Sequence, residues 1–144
     1  MNKFILLSFF FFSSASALAC QCKSVMIKPI EEKADYIFSA ANNVFLAKIT
    51  SSDLIGKIEA DSTTHHNFSL INTFKGHSNF PYLSTGGGLT SCDDSLIVDT
   101  HYIIFSDSKE VWNCTALYVN LEDEYYHKLV VKLTSLSKVN ITRN

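Results

Sequence analysis

Residues 43–52 read NVFLAKITSS, and with this run the period of the chain changes. Val44, Phe45, Leu46, Ala47 and Ile49 stand almost side by side in a run rich in β-branched and aromatic residues. The run predicts a strand with a partly two-sided apolar character. Immediately before it, residues 28–43 read KPIEEKADYIFSAANN. Ile30, Ala34, Ile37, Phe38 and Ala41 recur there at helical spacing. Pro29 suits a first turn, Glu31 and Glu32 suit its positive end, and Asn42-Asn43 closes it. The chain therefore passes from a short amphipathic helix straight into a strand.

Further along, IGKIEA (55–60) is a short candidate strand and DSTTHH (61–66) a polar turn. NFSLINTFKG (67–76) alternates Phe68, Leu70, Asn72 and Phe74 against polar neighbours until Gly76 stops it. FPYLST (80–85) is another short strand, and GGGLTSCDD (86–94) a glycine-loosened loop. HYIIFS (101–106) and EVWNCTALYV (110–119) read as a hairpin pair around DSKE. Asn120 then caps a helix with Leu121, Tyr125, Leu129, Leu133 and Leu136 on one face. Helix, about five short strands and helix suggest a mainly β fold, a closed or partly closed barrel with helices packed at its ends. No repeat or linker divides the chain.

The first 19 residues are set apart from that fold. Lys3 is a positive start, Phe4 to Phe12 is apolar apart from Ser8, and Ala17-Leu18-Ala19 is an A-x-A cleavage site. This is a secretory signal peptide, and its apolar run is too short to span a bilayer as a helix. No later segment qualifies as a span. The expected mature chain is a single domain of residues 20–144, secreted or periplasmic, beginning on Cys20. Without Lys3 it holds 11 basic and 14 acidic residues, scattered, with no basic stripe to suggest nucleic acid. All four cysteines (Cys20, Cys22, Cys92 and Cys114) fall in the mature part, an even number for an oxidising compartment. Two disulfides are the default expectation. A cysteine just after a signal peptide also invites lipidation, but Ala17 and Leu18 are in the reverse order for that, and acylation would leave three thiols.

Chemistry-bearing residues are plentiful and catalytic patterns are not. The chain contains no H-E-x-x-H, no G-x-S-x-G and no glycine-rich phosphate loop. His65-His66 read as surface loop histidines whose side chains diverge. Asp93-Asp94 and Glu122-Asp123-Glu124 could be paired carboxylates, but a turn and a helix start account for them better. The sequons at Asn67, Asn113 and Asn140 matter only in a pathway that glycosylates. CxC could form an exchange pair or a soft-metal site, yet two distant partner cysteines fit structural bridges better. Neither enzymatic activity nor a bound cofactor is expected.

Four features together resemble the netrin-like domains, and among them the tissue inhibitors of metalloproteinases. The mature chain starts on Cys-x-Cys followed by a short helix. NNVFLAKI (42–49) looks like the family's first strand, and SLINTFKG (69–76) like its phenylalanine-lysine-glycine strand end. LSTGGGLTSC (83–92) and HYIIFSDSKEVWNC (101–114) resemble the stretches that hold the partner cysteines. The resemblance runs from Cys20 to about Leu121. It implies an OB-like five-stranded Greek-key barrel with an N-terminal and a C-terminal helix, and bridges Cys20–Cys92 and Cys22–Cys114.

In inhibitors of this family the terminal cysteine's amine and carbonyl chelate the zinc of the target protease. The resemblance thus gives Cys20 that role, puts Gln21 in the enzyme's specificity pocket, and forms the binding edge from Cys20, Gln21, Cys22 and Lys23 with Leu89, Thr90, Ser91 and Asp93. The implied partner is a secreted zinc metalloprotease, met by a monomer. Two departures stand out. No cysteine lies between Cys22 and Cys92, so the family's third barrel bridge is missing, and Gln21 is bulkier than the small residue usual there. The alternative is an extracellular interaction module on the same fold without protease-inhibitor activity, possible also in a form lipid-anchored at Cys20.

Overall fold

A computed structural model describes residue 22 and residues 27–56, 62–86, 96–112 and 114–141. Helix α1 (Ile30–Ala40) follows Pro29, whose extended backbone (φ −61°, ψ 134°) forms the N-cap. Its carbonyl accepts the first helical bond from Lys33 N at 3.0 Å. The expected apolar spacing holds. Ala34, Ile37 and Ala41 are buried, with Ile30 and Phe38 packed against them.

Five antiparallel strands follow: β1 (Val44–Ile55), β2 (Thr63–Lys75), β3 (Leu83–Gly86), β4 (His101–Phe105) and β5 (Ala116–Val119). Their order in the sheet is β3-β2-β1-β4-β5. Strand β1 lies centrally; Val44–Ile49 are buried on both faces, in keeping with the partly two-sided apolar run, while most of residues 50–55 are exposed. Val44 and Leu46 join Phe74, Ile103, Phe105, Leu117 and Val119 beneath the helices. Phe45, Ala47 and Ile49 face the other way, among Leu83, Leu96, Tyr102, Ile104 and Val111. Phe45 stacks there on Phe68, with ring centroids 5.7 Å apart. Each CH₂ buried in two such layers is worth about 0.8 kcal/mol, so the sheet is the partition between two cores.

The β1–β2 ladder shifts register between Val44 and Phe45, Leu46 and Ala47, and Ile49 and Ser51, irregularities that increase local twist. At the far edge of the sheet, Ser84 on β3 receives a parallel bridge from Glu110. Ser84 N donates to Lys109 O, and Val111 N to Ser84 O, both at 2.8 Å. One sheet edge is thereby bonded to the segment that leads into β5, the other edge.

Helix α2 (Glu124–Ile141) packs against α1 and the end of β2. It begins later than Asn120 suggests. Asn120 Oδ1 accepts from Glu122 N at 3.1 Å, but Asp123 Oδ1 takes Tyr125 N at 2.8 Å and is the cap. Leu121 consequently stays in the preceding turn, 39% exposed, and is not part of the buried stripe. Leu129 and Leu133 are fully buried, and Tyr125 and Leu136 partly so.

Three segments differ from their sequence reading. Thr63 to His66 are strand rather than turn, because Thr63, Thr64, His65 and His66 pair with Gly86, Thr85, Ser84 and Leu83. His66 is accordingly no surface histidine; it is fully buried. The candidate strand at 55–60 reduces to Ile55 at the end of β1 and Gly56 with φ +94°, the remainder lying outside the described residues. Of the 110–119 strand only Ala116–Val119 survives; Cys114 and Thr115 lie in a turn before it.

Candidate functional site

The N-terminal segment is held by the Cys22–Cys114 disulfide, which spans 92 residues with a Cα–Cα distance of 4.9 Å. Cys22 is buried, and Cys114 partly so. The bridge's far end is flanked by hydrogen bonds. Thr115 N and Ala116 N both donate to Trp112 O, at 2.8 and 3.1 Å, while Trp112 N donates to Thr115 Oγ1 at 3.0 Å. Thr115 O then accepts Phe105 N at 2.8 Å, continuing the β4–β5 ladder. Cys114 therefore stands on a closed turn at the entry to β5.

A second tie lies between the cysteine and α1. Tyr125 of α2 donates its hydroxyl to Lys28 O at 2.9 Å, and Lys33 Nζ rests 5.3 Å from the centre of the Tyr125 ring. The segment is fastened to β5 through Cys22 and to α2 through Lys28.

Of the residues expected at the binding edge, Cys22 is brought to this place. Cys20, Gln21, Lys23, Leu89, Thr90, Ser91 and Asp93 lie outside the described residues, and so do the Cys20–Cys92 bridge and residues 1–19. The sequence reading missed Trp112, two residues before Cys114 and 59% exposed. A lone tryptophan in a polar stretch carries no signal of its own; the turn and the disulfide give it an address.

Other chemistry-bearing residues serve structure. His65 and His66 diverge as expected, His65 stacking on Tyr82 at 4.0 Å while His66 turns inward. Asp123 caps α2, and Glu124 pairs with Lys128 one turn on, a hydrogen bond that holds its carboxyl below the usual range. Among the described residues no three His, Cys, Asp or Glu side chains are grouped to hold a metal, and no helix is long and apolar enough to cross a membrane. No family model matches the chain, and no curated protein matches it either.

Proposed function

We propose that the chain is exported, cleaved after Ala19, and acts as a monomeric inhibitor of secreted zinc metalloproteases through its new N-terminus. The observation that carries the reading is the Cys22–Cys114 bridge, the second-to-fourth pairing that the resemblance to tissue inhibitors of metalloproteinases implies. In this reading Cys20–Cys92 is the companion bridge, and the sheet is an OB-like Greek-key barrel. The parallel contact of Ser84 with Glu110 supports the barrel, since closure needs the two sheet edges to meet.

The mechanism follows from the terminus. A catalytic zinc keeps three protein ligands and one open position. A free α-amine has a pKa of about 7.7–8.0, so part of it is neutral and able to ligate near neutral pH. Cys20 supplies that amine and its carbonyl oxygen together. Anchoring at Cys22 and Lys28 keeps the segment from wandering, which reduces the ordering entropy lost on binding. Gln21 enters the specificity pocket, flanked by Leu89, Thr90, Ser91 and Asp93.

The reading is tested by determining the mature N-terminus of the secreted protein and assaying it against a panel of secreted zinc proteases. A free Cys20 and inhibition of at least one panel member are expected. An extended or acylated terminus overturns the chelation. A free terminus with no inhibition turns the reading to an extracellular interaction module.

A further inference from the structure

His66 lies on β2 and is fully excluded from water. Its ring spans three strands. Nδ1 is 2.7 Å from Ser52 Oγ on β1, and Nε2 is 2.9 Å from Thr85 Oγ1 on β3. A neutral imidazole has one donor and one acceptor, and each hydroxyl can play either part. An imidazolium would donate at both nitrogens, which both hydroxyls can accept, so what opposes its charge is the burial of the ring. The surroundings offer little to stabilise the charge.

Among the described residues no charged side chain hydrogen-bonds the ring. Asp53 of β1 pairs in register with His65, one residue along and therefore on the opposite face. His65 stacks on Tyr82, and Lys109 Nζ sits 4.6 Å from the centre of that same ring. Glu110 bridges Ser84 through the backbone. Burial, and then the positive charge of a protonated His65, push the His66 pKa down to about 4.

Strand β3 has four residues and joins β2 through four pairs; Leu83 seats it in the core opposite the helices, Ser84 bonds it to Lys109 and Val111, and the ring's bond to Thr85 adds a side-chain tie to β2.

We propose that His66 is an acid-sensitive latch, fastening β3 to the β1–β2 hairpin while its imidazole is neutral and releasing that edge when it is protonated. The sign follows from linkage. A released ring returns to its ordinary pKa near 6.5 and takes up a proton that the closed ring refuses. Closure is thus complete above about pH 6.5 and weakens about tenfold per pH unit below it. The loss levels off near pH 4, roughly 300-fold in total.

The test is amide hydrogen exchange on the full disulfide-bonded chain, corrected for intrinsic rates, together with NMR titration of the His66 ring. In wild type the Ser84 amide, which donates to Lys109 O, should lose protection about tenfold per pH unit below about pH 6. Amides of Leu46 and Ile103 should hold theirs over the same range. In His66→Gln, which keeps a donor and an acceptor but cannot titrate, Ser84 protection should not follow pH. A wild-type Ser84 amide equally protected at about pH 7 and pH 4.5 overturns the latch, as does the same acid loss in His66→Gln. If that variant does not fold, the wild-type ring decides. A ring that takes up its proton as β3 opens supports the latch, and one that titrates near pH 6.5 with β3 still protected overturns it.

Discussion

At the end of β2, Lys75 Nζ lies 2.7 Å from both Phe38 O and Ala41 O, carbonyls left open where α1 ends. A cation at a helix C-terminus is favourable electrostatically, and here it also satisfies two acceptors and covers the Phe38 ring at 5.3 Å. The next residue, Gly76, has φ +66°, and a Cβ there would fall well inside 3.0 Å of Asn42 O and Asn43 Oδ1. Asn43 is buried, donating Nδ2 to Ser106 O at 3.2 Å and accepting His77 N at 3.1 Å. The ends of α1, β2 and β4 are fastened at this one point. Gly76→Ala should therefore cost at least about 2 kcal/mol, from the left-handed backbone and the clash together. Urea melts measure it, and a loss under about half a kcal/mol would mean the turn rearranges freely. The phenylalanine-lysine-glycine run was legible as a strand end; that its lysine caps a helix about 35 residues earlier was not.

Among the elements, α2 separates two leucines that one helical stripe would treat alike. Leu129 is fully buried between the helices and the sheet, whereas Leu121 is exposed in the turn before Asp123. Leu129→Ala should cost about 2–5 kcal/mol, the range for a buried leucine. Leu121→Ala should stay within about half a kcal/mol, as surface changes do. Equal losses in thermal or urea melts would show that the helix begins at Asn120 after all. Sequence alone could not choose between two good caps three residues apart. It did choose α1 and β1, because Ala34, Ile37 and Ala41 recur with a helical period and Val44 to Ile49 leave no polar face. The start of β2 escaped it for a converse reason. Thr-Thr-His-His has the polarity of a turn, and its partners, Leu83 to Gly86, lie about 20 residues away. His66 became visible as a buried group only through that pairing.

For the molecule as a whole, the Cys22–Cys114 bridge closes a loop of 92 residues around both cores. Replacing both cysteines by alanine should cost about 2–5 kcal/mol, chiefly by freeing the unfolded chain. Chemical denaturation under non-reducing conditions checks this, and an unchanged midpoint would contradict it. The bridge was legible through the family resemblance, since four cysteines alone allow three pairings. The rest of the proposed edge depends on Cys20, Gln21 and residues 89–93, so its account rests on the chemistry of a free terminus. That chemistry has one sharp consequence. A single alanine added before Cys20 turns its amine into an amide, a poor ligand for zinc, and pushes bulk toward the metal. The Cys22–Cys114 bridge and both cores are left as they were. Inhibition constants of the mature protein and the alanine-extended form against the same zinc protease, with their stabilities in parallel, are the decisive measurement. The account predicts that the extended form keeps its stability and loses inhibition; equal inhibition by both would contradict chelation by Cys20.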